Sequence, residues 1–184
     1  MKIIKILLII FLSLKINFLY ADENNFDKWL IKFKIQALNK GISKKTLDVA
    51  LKNVQFLPKV IKYDRYQPEF YEDTKTYITK RTSNKKIKNG IIIYNSNKDV
   101  IDEIEKKFNV EKELLLSLMG IETNFGKYLG KMDIISSLAT LSFDQRRTEF
   151  FTNELITILH LIDKKIIDHK ILYGSWAGAF GNFQ

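Results

Sequence analysis

The 184-residue chain contains no cysteine. That excludes thiol nucleophiles, disulfides and cysteine-ligated zinc. Its only two histidines, His160 and His169, lie far apart and lack any paired ligand spacing, so no metal site is expected. No apolar run reaches the ~20 residues that a bilayer-spanning helix needs. No internal repeat, low-complexity linker or train of alternating strands appears. Redox-thiol chemistry and zinc-cysteine modules are thereby set aside.

What is present begins with an export signal. Lys2 and Lys5 give a positive start, Ile6 to Leu14 is nearly all apolar, and Ala21 is a small residue at a plausible cleavage point. Residues 1–21 are therefore expected to be a signal peptide, with residues 22–184 forming one domain. Hydrophobic residues make up 46% of the chain, enough for one compact core. The net charge is +9, and removal of Lys2, Lys5 and Lys15 with the signal still leaves a positive excess. Nucleic-acid binding is one reading of such an excess. Against it, the lysines are scattered among Ile and Asn, with only Lys85-Lys86-Ile87-Lys88 approaching a cluster, and an exported protein leaves the cytosol.

The periodicity is helical almost throughout, and the fold class expected is mainly α. Phe26, Trp29, Leu30, Phe33 and Ala37 recur at helix spacing until Gly41. Ser43 is a candidate cap for a helix carrying Leu47, Ala50, Leu51 and Val54. Pro58 and Pro68 bracket an aromatic-rich link, followed by short helices around Lys75–Arg81 and Lys85–Tyr94. The β-branched run Gly90-Ile91-Ile92-Ile93-Tyr94 is read as helix from its neighbours. Asn97 is expected to cap a helix with Val100, Ile101, Ile104 and Phe108 inside, and Asn109 the helix after it. A long helix from about Arg147 to Asp163 should bury Phe150, Phe151, Leu155, Ile158, Leu159 and Ile162.

One carboxylate stands out. Glu122 ends the apolar run Leu115-Leu116-Ser117-Leu118-Met119-Gly120-Ile121, and on a helix it shares a face with Leu115, Leu118 and Met119. That face is expected to point inward, where the carboxyl group loses water and its neutral, proton-donating form is favoured. The plain alternative is a helix-end carboxylate that reaches solvent or caps a nearby amide. A second carboxylate for a two-acid hydrolase is not evident: Asp133 is a candidate by position only, and Asp144 is expected to pair with Arg146 or Arg147 or to cap the helix that follows.

Met119-Gly120-Ile121-Glu122-Thr123-Asn124-Phe125-Gly126 resembles the catalytic signature of the membrane-bound lytic murein transglycosylase B family. Ser137-Leu138-Ala139-Thr140-Leu141-Ser142-Phe143-Asp144, Arg146-Arg147 and Glu149-Phe150-Phe151 are similar to that family's next block. Gly174-Ser175-Trp176-Ala177-Gly178-Ala179-Phe180-Gly181, then Gln184, resembles the one after it. Upstream, Tyr63-Asp64-Arg65-Tyr66-Gln67-Pro68-Glu69-Phe70 is similar to a segment of its proteobacterial members. The four blocks run in the family's order from about Gly41 to the last residue.

The resemblance implies a lysozyme-like helical transglycosylase domain, incomplete at its C-terminus, acting on peptidoglycan. Glu122 would serve as acid and then base, cleaving the bond between N-acetylmuramic acid and N-acetylglucosamine to leave a 1,6-anhydromuramyl end, with no metal or other cofactor. Ser175 and Gln184 would be polar groove residues, although Ser175 reads equally as a cap after Gly174. Arg146, Arg147 and Tyr77 would be further substrate contacts, while Trp176, Phe180 and Phe183 are expected to pack the core. Without the family's lipid-bearing cysteine, a periplasmic monomer with no stable membrane anchor is expected, bound to glycan strands. A water-using muramidase and a non-catalytic peptidoglycan-binding fragment remain as alternatives.

Overall fold

The computed structural model describes residues 25–67 and 70–181. The expected signal peptide, Phe183 and Gln184 lie outside the described residues. Helices follow one another as the periodicity requires: α1 over residues 25–39, α2 Lys44–Ala50, α3 Pro58–Arg65, α4 Thr74–Arg81, α5 Asn84–Ser96, α6 Lys98–Phe108, α7 Lys112–Thr123, α8 Ile134–Phe143 and α9 Thr148–Asp163. Two short strands, β1 Met132–Asp133 and β2 Tyr173–Gly174, pair antiparallel with Met132 opposite Gly174. The chain divides into two compact units, residues 1–58 with 135–170 and residues 59–134 with 171–184.

In the first unit α1 ends at Gly41, whose φ of +86° lies in the region that only glycine enters freely. The aromatic face of α1 is buried as its spacing predicts: Phe26 meets Phe143 of α8 edge-on at 5.6 Å between centroids, and Trp29 stacks on Phe33 at 5.2 Å. Helix α8 is buried along nearly its whole length, hydroxyl groups included. Those hydroxyls have work to do, because the chain after α2 runs extended beside them. Ser136 Oγ accepts from Gln55 N–H at 3.1 Å and Thr140 Oγ1 from Leu57 N–H at 3.0 Å. Two part-buried backbone donors on a segment without a strand partner are thus satisfied by side chains.

Helix α9 buries Phe151, Leu155, Ile158 and Leu159. Phe150, expected inside with them, is exposed. It lies beside that stripe, edge-on to Phe151, with the Arg147 guanidinium 4.6 Å from its ring centroid. Arg147 itself occupies the N-cap position of α9, so Asp144 does not.

In the second unit α6 and α7 form a hairpin closed by ionic contacts rather than by the expected caps. Asn109 adopts φ +51° and terminates α6, while Glu111 starts α7 without a side-chain cap bond. The capping oxygen comes from Glu105 of α6, which accepts from Lys112 N–H at 3.1 Å and pairs with Lys112 Nζ at 2.9 Å. Asp102 accepts from Tyr94 of α5 at 3.0 Å and pairs with Lys98. Lys112 and Lys98 hold the Glu105 and Asp102 carboxyls, respectively, below the usual range. Asn97 turns back as well, donating Nδ2–H to Ile93 O instead of capping α6. Only Ile101 of the apolar face read on α6 is buried; Val100 and Phe108 are exposed.

Within the first unit, one link joins residues 120 positions apart in the sequence. Ser43 caps α2, as its position predicts, by accepting from Thr46 N–H, and its own hydroxyl donates to Asp163 Oδ1 at the end of α9. Thr46 Oγ1 donates to the same oxygen at 2.6 Å. The Ser43 hydroxyl first, then Thr46, hold the Asp163 carboxyl below its ordinary value of 3.8. The folded chain therefore favours the charged form: the stabilisation is complete above the ordinary carboxylate value and fades as pH falls through the lower folded one. We expect Asp163→Asn to melt at a lower temperature than the parent near neutral pH, with the gap narrowing as the medium is acidified to about pH 3. Thermal melts of both chains across that range check it.

Candidate active site

Glu122 is the penultimate residue of α7, and what surrounds it is decided by which side of α7 is buried. The apolar residues of α7 ring the helix: Leu114, Leu118 and Ile121 are exposed and Leu115 and Met119 half-buried, whereas Gly120 and Thr123 are buried. Small residues let a neighbouring backbone come close, so the packed side runs through Gly120 and Thr123 and not through Leu118. Glu122 is exposed. This corrects the expectation that its face points inward; the dehydration that the sequence reading assigned to Glu122 is not supplied by α7.

The helix ends in an unusual turn. Asn124, Phe125 and Gly126 all have positive φ, at 49°, 58° and 76°. Thr123, buried beneath them, accepts Gly126 N–H on Oγ1 at 2.9 Å, and its carbonyl accepts Tyr128 N–H at 2.9 Å. Phe125 N–H donates to Met119 O at 2.9 Å. Every one of these bonds pins the chain immediately after Glu122.

Glu122 opens onto a polar cavity of about 290 Å³. One wall is the start of α5: Ser83, which caps the helix by accepting from Lys86 N–H at 3.4 Å, with Lys85, Lys86 and Asn89. The other is the end of α7, with Ile121, Glu122 and Asn124, and Tyr128 beyond it. Among the described residues that line it, Glu122 is the only acid; the α5 N-terminus and two lysines make the opposite wall positive. A larger, mainly apolar cleft of about 340 Å³ lies beside it between α5 and α7, lined by Ile87, Ile91, Leu116 and Phe125 among others. The smaller one carries Glu122; the larger one also holds a carboxyl group, that of Glu113, at the start of α7.

The other expected site residues are not gathered into that cavity. Tyr77 sits on α4 with the Arg81 guanidinium 3.6 Å from its ring centroid, and Arg81 in turn pairs with Glu72. Ser175 closes a turn: its N–H donates to Ala179 O at 2.8 Å and its Oγ accepts from Ala179 N–H at 3.2 Å. This is close to the capping alternative, without a helix, and it leaves the hydroxyl hydrogen to donate. The turn is set by an unusually close crossing, since a Cβ on Gly130 would lie 2.1 Å from Gly174 O. Phe180, past that turn, is exposed rather than in the core, and Trp176 is half-buried. Arg146 and Arg147 belong to the first unit and Gln184 lies outside the described residues. Asp133, weighed as a second acid, is in β1 and does not line the cavity.

Asn89, Asn124, Tyr128 and the two lysines were not singled out as site residues by sequence. The signal was there in part: Ser83 as a cap places Lys85, Lys86 and Asn89 on one side of α5, and the lysine cluster was visible as charge without a role.

The scaffold is mainly helical, and it sets one carboxyl group, Glu122, on a polar cavity. The sequence matches the family described as "Transglycosylase SLT domain" over residues 25–184, and the chain belongs to that family. It is 36% identical over 99 residues to membrane-bound lytic murein transglycosylase B of Escherichia coli, spanning 53% of this chain and 27% of that protein. Its fold is similar to that of Pseudomonas aeruginosa SltB3 solved with NAG-NAM-pentapeptide, with a TM-score of 0.79 and 31% identity over 86% of this chain and 42% of that one. The Escherichia coli lytic transglycosylase Slt35 in complex with bulgecin A gives a TM-score of 0.72 at 30% identity, covering 89% of this chain and 52% of that one. The chain thus spans about half the length, or less, of these relatives. The mainly helical transglycosylase fold read from the sequence is the fold observed.

Thr123 is where the turn is most exposed to a single change. Thr123→Val keeps the shape but removes the acceptor of Gly126 N–H. We expect it to lower stability by about 1–3 kcal/mol, the cost of stranding a buried polar group, and Thr123→Ser to retain most of it; denaturant unfolding of the two variants checks this.

Proposed function

We propose that this chain carries the acid/base centre of a peptidoglycan lytic transglycosylase, with Glu122 as the one catalytic carboxyl group. The observation that carries the reading is that, among the described residues, Glu122 is the only acid lining a polar cavity, in a chain of the SLT family. A two-carboxylate hydrolase needs a second acid within about 5–9.5 Å, and no described residue lining the cavity offers one.

In the proposed reaction Glu122 donates its proton to the glycosidic oxygen between N-acetylmuramic acid and N-acetylglucosamine as the bond from that oxygen to the muramyl anomeric carbon breaks. The substrate's own acetamido oxygen supports the positive charge that develops. The Glu122 carboxylate then takes the proton of the muramyl 6-hydroxyl, whose oxygen bonds to the same anomeric carbon. The product is a 1,6-anhydromuramyl end; Glu122 is reprotonated and no water is consumed. Because Glu122 is exposed, the glycan itself must displace water from the cavity on binding.

The walls suit that substrate. Asn89, Asn124, Ser83 and Tyr128 offer donors and acceptors for hydroxyl and acetamido groups, and Lys85 and Lys86 face the side where stem-peptide carboxylates can sit. Ser175, Tyr77, Arg146, Arg147 and Gln184 are proposed as outer substrate contacts on the family resemblance. The described residues contain no helix long and apolar enough to cross a membrane; we place the protein in the periplasm, exported by residues 1–21, as a monomer. Residues 22–184 are proposed as the N-terminal part of a longer catalytic domain, a reading supported by the exposed apolar side of α7 and by the chain's spanning only 42% of SltB3. SltB3 is solved with both NAG-NAM-pentapeptide and NAG-anhNAM-pentapeptide, which bracket the proposed chemistry in that relative.

Glu122→Gln keeps the side chain's shape but can neither donate nor accept the proton. We expect it to abolish release of muropeptides from sacculi while leaving far-UV circular dichroism unchanged. Undiminished release by the variant would assign the chemistry to another residue.

A further inference from the structure

The strangest backbone in the chain is that of Phe125. A bulky residue in the left-handed region is a genuine outlier, and here it is the middle of three, between Asn124 and Gly126. Such conformations persist only where their surroundings over-determine them. What holds this one is written in two glycines. The Phe125 ring folds back over its own helix: a Cβ added at Gly120 would lie 2.8 Å from its Cζ, and one at Gly90 of α5 would lie 3.2 Å from the same atom. Both glycines are inside helices, where glycine is unfavourable relative to alanine, so their presence needs a packing reason. The seat of the ring is that reason.

The location of this seat is what gives it consequence. Gly120 lies two residues before Glu122 and Phe125 three after it, so the ring clamps the turn of α7 that carries the carboxylate. Gly90 adjoins Asn89, and α5 supplies Lys85, Lys86 and Asn89 to the opposite wall of the cavity. The ring thus lies against both helices that supply the cavity's walls, α7 at Gly120 and α5 at Gly90, from the side of the larger cleft.

We infer that Phe125 is a positioning residue for Glu122: its ring, wedged on Gly120 and Gly90, holds the left-handed turn after α7 and fixes the distance from the carboxylate to the α5 wall. The inference rests on the proposed role of Glu122. It also accounts for an arrangement that costs the helices stability, as expected where placement is what matters.

The test is a two-residue cycle in the full chain, with Glu122→Gln run in parallel. Gly120→Ala adds a methyl group where the ring sits while improving helix propensity. We expect its melting temperature to be equal to or above the parent's, with kcat on sacculi reduced about tenfold or more and KM little changed. Phe125→Leu should lose kcat too, through a loosened turn, seen as faster hydrogen exchange of the Phe125 and Gly126 amides. In the double variant the smaller Leu makes room for the methyl group, and kcat should recover above that of Gly120→Ala alone. A purely structural contact would instead move stability and activity together and show no rescue. Full kcat in Gly120→Ala and Phe125→Leu, beside a dead Glu122→Gln, overturns the positioning role alone. Full activity in Glu122→Gln overturns the role of Glu122. If the parent shows no turnover, the Glu122 carboxyl-carbon resonance at fixed pH decides: a shift in both single variants supports the clamp, and an unmoved resonance overturns it.

Discussion

How near α7 comes to α5 determines the whole site, and side chains of almost no size set that approach. Gly90 and Gly120 open a seat for the Phe125 ring, and Thr123 buries a hydroxyl that ties down the turn. Two helix-interior glycines cost about 2 kcal/mol in propensity against alanine, and the Phe125 ring they seat is only half-buried. What the seat yields is a carboxylate at a helix end whose backbone cannot drift.

The rest of the second unit serves the same placement. Tyr94, Asp102, Glu105 and Lys112 link α5, α6 and α7 through hydrogen bonds and ion pairs, so that the hairpin presents the start of α5 and the end of α7 to one cavity. In the proposed reaction, a positive wall opposite Glu122 is where an anionic, amide-rich glycan would bind and one proton would be passed out and recovered.

The helices were legible because their apolar spacing and caps are local. Ser43 and Gly41 act as their positions announce, and α9 runs nearly where its stripe places it. Burial was legible only where one face was apolar. On α7 nearly every side is apolar, so the stripe did not identify the packed side, and the small residues Gly120 and Thr123 decided it instead; Glu122 came out exposed for that reason. Asn109 misled because an Asn between two helices can end the first as readily as start the second, and the capping carboxylate came from Glu105, seven residues before the amide it serves. Phe150 and Phe180 were read inward as large aromatics, but each lies outside the contact its helix or turn actually makes. Glu122, the proposed acid, was read from its motif; that Lys85, Lys86, Asn89 and Tyr128 line the same cavity needed the third dimension.

The central claim is that one carboxyl group closes the reaction on the sugar itself, with no water entering. Digesting sacculi with the chain in water carrying a heavy oxygen isotope, then weighing the released muropeptides, tests it most directly. The account predicts 1,6-anhydromuramyl ends with no isotope incorporated. Reducing muramyl ends carrying the heavy oxygen would contradict it and make the protein a hydrolase.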